Sequence, residues 1–302
     1  MRLNQNYVIV LVGRIRIIEK NRKHQRGCQS SVAFCLYVTL CGVNYVLISP
    51  RHEITQSVGR VILNALKDPS EPGFRVHFVH LSGQNYTPQE MATRQMYLSH
   101  PNEILLWYFK RFASYRHIKP NTVHHWLADK QLVTQNIDGL DGKAGNVAYV
   151  PIHGRLDKVT VLHEQRLDVP LIDAPWEDVA SACDDLDDSA RLTPVLLDAF
   201  KISKTTLTPE PDVSLKLIVL LFDEYYTDLY RMSEAEDWMQ DAQCIVFMGT
   251  SFSVNITSIA LRTALTNEAA IEVVDPQPID LGYERIEYHR MTAAEYVSDR
   301  SG

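Results

Sequence analysis

Residues 244–261 read Cys244-Ile-Val-Phe-Met-Gly249-Thr250-Ser251-Phe-Ser-Val254-Asn-Ile-Thr-Ser-Ile-Ala-Leu261. A continuous apolar run ends in a turn of small residues, and apolar residues at helical spacing follow, so the stretch predicts strand, turn and helix. Strands that are apolar at every position are those covered on both faces, as in parallel sheets. Such a turn aims backbone N–H groups and the Thr250 and Ser251 hydroxyls at one point, and Gly249 permits close approach, which suits a phosphate. An ordinary α/β turn would read the same way if it stood alone. About twenty-five residues on, Val273-Val274-Asp275 ends a second strand with a carboxylate, the group that holds a ribose hydroxyl in dinucleotide sites. Two coordinated turns point to a nucleotide.

Outward from this stretch, Gln131 to Val133 is a short strand candidate, and Ala148 to Ile152, Leu215 to Leu221, Ile245 to Met248 and Ile271 to Val274 are candidates of the same buried kind. Thr87-Pro88-Gln89-Glu90 is a capping box with Pro at the first helical position, and Pro101 opens an apolar stripe of Ile104, Leu105, Tyr108 and Phe112. A third helix begins near Pro120-Asn121. The alternation predicts an α/β protein, a Rossmann-like parallel sheet with helices on both faces. Residues 164–212 break the pattern, with twelve Asp/Glu against four Lys/Arg and prolines at 170, 175, 194, 209 and 211, and read as an acidic, loop-rich insertion.

The 302 residues suffice for one large domain or two modest ones, and 45 % hydrophobic with 22 % charged residues is ordinary globular usage. Residues 1–60 carry a net +7, however, and the remainder −14. An acidic body lacks the cationic face that nucleic-acid binding requires. The five cysteines, 28, 35, 41, 183 and 244, contain no Cys-x-x-Cys pair, so free thiols in a reducing cytoplasm are expected. Gly27 to Pro50 is uncharged and follows Lys20, Arg22, Lys23 and Arg26, the layout of a signal anchor. Polar residues from Gln29 to Asn44 interrupt it, and a buried strand pair or an extension that packs on nothing are the alternatives.

Further motifs add a resemblance. Thr134-Gln135-Asn136-Ile137-Asp138-Gly139-Leu140, then Ala144-Gly145 and Ile152-His153-Gly154, resemble the sirtuins, the NAD-dependent protein deacylases. The likeness extends from about residue 71 to 298 through Pro101 to Phe112, Lys119-Pro120-Asn121, Leu221-Phe222-Asp223-Glu224, Gly249-Thr250-Ser251 and Val273 to Pro276. It implies a catalytic domain over 71–298, with small-domain insertions at about 80–118 and 160–212, preceded by a divergent segment over 1–70. It further implies NAD as co-substrate and an acyl-lysine protein or peptide as substrate. His153 would be the general base and Asn136 a catalytic partner. Phe74, Arg75, Gln135, Asn136, Asp138, Gly249, Thr250, Ser251 and Asp275 would hold the cofactor, and Phe222, Asp223 and Glu224 the substrate peptide. In the family's reaction the acyl oxygen attacks the ribose carbon as nicotinamide leaves, and the histidine then helps move the acyl group onto the ribose. An imidazole suits that role because it titrates near neutrality.

The chain departs from the sirtuin pattern twice. Between His153 and Phe222 only Cys183 stands where the family carries two Cys-x-x-Cys pairs, so no zinc is expected, and Leu167, Leu171, Trp176 and Leu192 are candidates to pack in its place. The glycine-rich segment due before Pro72 reads Val61 to Ser70 without glycine, which bears on NAD binding. An NAD glycohydrolase or ADP-ribosyltransferase, and a pseudoenzyme that binds NAD or ADP-ribose without turnover, are the alternative readings.

Overall fold

The computed structural model describes residues 7–11, 15–16, 34–40, 43–49, 86–164, 166–183 and 185–301. Its strands are β1 (Tyr7–Leu11), β2 (Ile15–Arg16), β3 (Phe34–Leu40), β4 (Val43–Ser49), β5 (Gln131–Thr134), β6 (Val150–Pro151), β7 (Gly154–Val161), β8 (Ile172–Asp173), β9 (Leu215–Val219), β10 (Cys244–Met248), β11 (Ala270–Val274) and β12 (Ile286–His289). Six of them form one sheet in the order β12-β11-β10-β1-β5-β6, and every pair in it is parallel. The chain runs outward from β1 in both directions, so the order reverses at β1. In open α/β sheets the crevice outside the carboxyl ends at such a reversal is where ligands bind.

Helices α1 (Pro88–Met91), α2 (Arg94–Ser99), α3 (Pro101–Tyr115), α4 (Thr122–Trp126), α5 (Leu140–Lys143), α6 (Trp176–Ala182), α7 (Ser189–Ala199), α8 (Met232–Asp241), α9 (Asn255–Thr266) and α10 (Ala293–Arg300) complete the described elements. The period-two alternation of a strand divides β10 between two cores. Ile245 and Phe247 pack with Ile256, Ala260 and Ala264 of α9 and with Ala235 and Met239 of α8. Cys244, Val246 and Met248 pack on the other face with Val123, Leu127, Tyr296 and Val297. Glu272 of β11 is buried there with its charge matched by donors: His289 Nε2 at 2.9 Å, Tyr296 Oη at 2.7 Å and Arg300 at 2.7 Å, which ties α10 to the sheet.

A third core belongs to a smaller lobe made of α1 to α3, β7 to β9, α6 and α7. The expected capping box is present, with Thr87 accepting from the Glu90 N–H, and Pro101 opens α3. Trp176 fills this lobe, its ring 4.9 Å from Phe200 and 5.8 Å from both Phe109 and Phe112, while its indole N–H donates to the Leu156 carbonyl at 2.6 Å.

Several expectations change here. β9 is buried along its whole length, but it pairs antiparallel with β7 in the small lobe and not in the main sheet. A continuous apolar run reports burial of both faces, not which sheet supplies the cover. The proline-rich acidic stretch contains two helices, and α7 carries Pro194 inside it. Asp188 caps α7 through the Arg191 N–H, and Leu192, Leu196 and Leu197 face the core, which outweighs the local cost of the proline. Trp176 and Leu192 are buried as expected, whereas Leu167 and Leu171 are 56 % and 48 % exposed and contribute no core. Within Gly27 to Pro50 the described residues are those of β3 and β4, which pair antiparallel, and no described helix is long and apolar enough to cross a membrane. Residues 7–11, set apart from the catalytic domain in the sequence reading, form a central strand of the main sheet, their run Tyr-Val-Ile-Val-Leu suiting a strand flanked on both sides.

Candidate active site

The strand registers align Val274, Met248, Leu11, Thr134 and Pro151 across the sheet, each the last residue of its strand. The residues that follow therefore gather along the crest: Asp275, Gly249-Thr250-Ser251, Gln135-Asn136 and Ile152-His153. Ile152 donates its N–H to the Thr134 carbonyl at 2.9 Å and so extends the β5 to β6 pairing up to His153.

His153 is buried. Loss of solvent lowers its pKa to about 4, against a smaller upward effect from a hydrogen bond to the Gln135 main chain. The ring is therefore neutral at physiological pH, the form able to accept a proton. A bond to the main chain that favours the charged ring is one in which the ring donates to the carbonyl. The other nitrogen, Nε2, lies 2.9 Å from the Tyr226 hydroxyl. With the ring protonated at Nδ1, Nε2 accepts and Tyr226 donates.

Beside it, Gln135 has 0 % exposure, and neither its amide oxygen nor its amide nitrogen has a hydrogen-bond partner among the described residues. A buried unsatisfied amide costs about 1–3 kcal/mol, so this one is suited to a ligand that supplies both a donor and an acceptor. Asn136 is half-buried, its N–H donating to the Thr134 hydroxyl at 3.2 Å. Asp138 is half-buried and accepts the Leu140 N–H at 2.9 Å, opening α5. Burial, with the negative charge of Asp138 adding to it, pushes the Asp141 carboxyl up to about 7.

On the far side of the crest, Gly249 adopts φ +60° and its N–H donates to the Val274 carbonyl at 3.0 Å. Thr250 is buried, with its hydroxyl accepting the Phe252 N–H at 3.1 Å, and the Ser251 and Ser253 hydroxyls are 2.7 Å apart. No side chain caps the start of α9, which leaves its first amides available to an anion. Asp275 is half-buried and accepts the Gln277 N–H at 2.8 Å.

The residues expected to hold a substrate peptide differ among themselves. The Phe222 side chain is 49 % exposed, beside the crest segment that carries Tyr226. Asp223 caps α2, accepting from the Arg94 and Gln95 N–H groups at 2.6 and 3.0 Å. Glu224 is engaged by Lys216 at 3.0 Å, Arg94 at 3.3 Å and the Leu221 N–H at 3.2 Å. Both carboxylates thus hold the lobe together in this structure. Phe74 and Arg75 lie outside the described residues.

Sequence reasoning missed Tyr226, Asp141 and β1. Gly13, two residues past the apolar run of β1, was an available signal for the first strand of a dinucleotide fold. Nothing in the spacing of Tyr225-Tyr226 indicates that the second ring meets His153.

A family profile described as the Sir2 family matches residues 73–256. A protein of Ralstonia nicotianae called an NAD-dependent protein deacylase is 36 % identical over 77 residues, 24 % of this chain and 31 % of the relative. NAD-dependent protein deacylase 1 of Caldanaerobacter subterraneus is 24 % identical over 221 residues, 71 % of this chain and 80 % of the relative. The chain spans about a third of the length of relatives such as the Ralstonia and Thermus thermophilus proteins. Among solved structures, a Sir2 homologue in complex with NAD superposes with a TM-score of 0.52 at 22 % identity, covering 71 % of this chain and 76 % of that one, a likeness of fold.

Proposed function

The chain belongs to the Sir2 family, and from that premise we propose that it is an NAD-dependent protein-lysine deacylase, using an acyl-lysine peptide or protein as substrate and releasing nicotinamide. The observation that carries this reading is the pairing of a neutral, buried imidazole with an unsatisfied buried amide, Gln135, one strand apart on the crest. An amide left without partners fits the carboxamide of a nicotinamide, which offers a donor and an acceptor in matching positions. Asn136 and Asp138 stand beside it for the adjoining ribose, and the Gly249 turn, Thr250, Ser251 and Asp275 for the adenosine half.

NAD would supply a ribose carbon that becomes electrophilic as nicotinamide departs. The chain's own residues do the rest. Burial of His153 keeps it unprotonated until a hydroxyl is presented, and the Gln135 carbonyl holds the ring so that Nε2 faces the site. Enclosure strengthens each of these electrostatic contacts by removing competing water. Phe222 offers an exposed ring at the substrate side, and peptide pairing along this segment would read backbone more than side chains.

The small lobe does not fit a structural zinc. Cys183 is the one thiol between His153 and Phe222, and its Sγ is buried 3.6 Å from the Asp185 carbonyl. One thiolate does not furnish a closed tetrahedral set, and the Trp176 cluster supports a lobe held by apolar packing.

Calorimetric titration of the full chain with NAD tests the site. The reading expects saturable binding that weakens in Gln135→Ala. No binding by the parent chain would overturn it, and binding of ADP-ribose without nicotinamide release from NAD would favour a pseudoenzyme.

A further inference from the structure

The neutral imidazole of His153 has one acceptor position, and a protein hydroxyl fills it. In the tautomer protonated at Nδ1, the single lone pair of Nε2 receives the Tyr226 O–H, and the two atoms lie 2.9 Å apart. The two rings lie nearly parallel, 21° apart with centroids separated by 5.9 Å. Tyr226 is itself packed against the core of the main sheet, beside the cluster that includes Phe247, Ile256 and Ala235. A ring seated on that core holds its hydroxyl where it is. A substrate hydroxyl approaching His153 therefore meets the Tyr226 oxygen first.

From this geometry, and resting on the deacylase reading, we propose that Tyr226 is a proton relay: its hydroxyl, not His153 directly, receives the proton of the attacking substrate hydroxyl. A phenol oxygen both donates and accepts, so it can pass a proton without holding charge. As the substrate O–H bond breaks, a new bond forms between that proton and Tyr226 Oη. The proton already on Oη moves to His153 Nε2. The electron pair left on the substrate oxygen goes into its bond to the acyl carbon, and the π pair joining that carbon to the lysine nitrogen moves onto the nitrogen. Tyr226 ends neutral, and the imidazolium charge is met by the Gln135 carbonyl. Departure of nicotinamide requires no base and lies outside the relay.

The relay separates the two stages of the reaction, which makes it testable with the full chain, NAD and an acetyl-lysine peptide. Tyr226→Phe keeps the ring and its packing while removing the hydroxyl. In single-turnover assays the variant is expected to release nicotinamide within about threefold of the parent rate while acyl transfer to ribose slows by roughly 100-fold, the scale of a lost general-base contact. Its affinity for NAD and its melting temperature should remain those of the parent. Acyl transfer at the parent rate in Tyr226→Phe would overturn the relay and leave the deacylase reading intact. Tighter NAD binding with an unchanged rate would also overturn it, identifying the hydroxyl as a place-holder that the substrate displaces. Absence of nicotinamide release from the parent chain would instead overturn the deacylase reading, and the relay with it.

Discussion

A Cβ placed on Gly154 would stand 1.9 Å from the carbonyl oxygen of Ile218. Gly154 pairs with Val219 where β7 meets β9, and the Leu220 N–H donates to the His153 carbonyl at 2.9 Å. The main chain of His153 is thus pinned by a close backbone approach that only glycine permits, at φ +81°. Gly154→Ala is expected to cost about 1–3 kcal/mol from the backbone conformation alone, with more from separating the strands. Nicotinamide release should fall with it as His153 shifts. An unchanged melting temperature and rate would contradict this account of the pairing.

Asp141 makes stability depend on pH. Its carboxyl titrates at about 7 in the folded chain and near 3.8 when unfolded, so the folded state binds the extra proton between those values. Its favourable contribution is complete below pH 3.8 and is lost as pH rises through about 7. Asp141→Asn should therefore gain stability relative to the parent between pH 5 and pH 8. Melting temperatures of both proteins at the two pH values measure this. A gap that does not change with pH would argue against a neutral buried acid.

Trp176 is the largest fully buried side chain of the small lobe. Trp176→Ala removes the ring shared by Phe109, Phe112 and Phe200 and leaves the Leu156 carbonyl without its indole donor. A loss of about 3–5 kcal/mol in urea unfolding is expected. A loss below about 1 kcal/mol would mean that something other than this cluster holds the lobe.

Lys216 and Glu224 form a buried pair whose members need each other. Burial lowers the Lys216 pKa, with the Glu224 charge opposing that effect. Lys216→Met leaves the carboxylate short of its nearest cation and should destabilise by about 3 kcal/mol, while the double variant with Glu224→Gln should recover much of that loss. Additive effects of the two substitutions in unfolding experiments would contradict the coupling.

The main sheet was legible because parallel strands buried on both faces are apolar at nearly every position, Glu272 of β11 being an exception. Ile245 to Met248 and Ile271 to Val274 could be read directly, and the turns after them carry the polar groups that face the crest. β9 misled for the same reason, since an antiparallel strand buried in the small lobe is as apolar as these apart from Lys216. The helix Ser189–Ala199 was hidden by Pro194 and by acidic neighbours, although Leu192 and Leu196 keep helical spacing. His153 and Gln135 could be named from their motifs, whereas the contact of Tyr226 with His153 spans 73 residues and arises only when the chain returns from β9 past the crest.

The central claim is that His153, neutral and held at the crest, drives NAD-dependent deacylation by this chain. It is tested most directly by measuring nicotinamide release and acetyl transfer from an acetyl-lysine peptide with the intact protein and with His153→Ala. The account predicts turnover that requires NAD and falls by roughly 100-fold or more in the acetyl-transfer step when the imidazole is removed. Equal acetyl transfer by the two proteins, or none by the parent at saturating NAD, would contradict it.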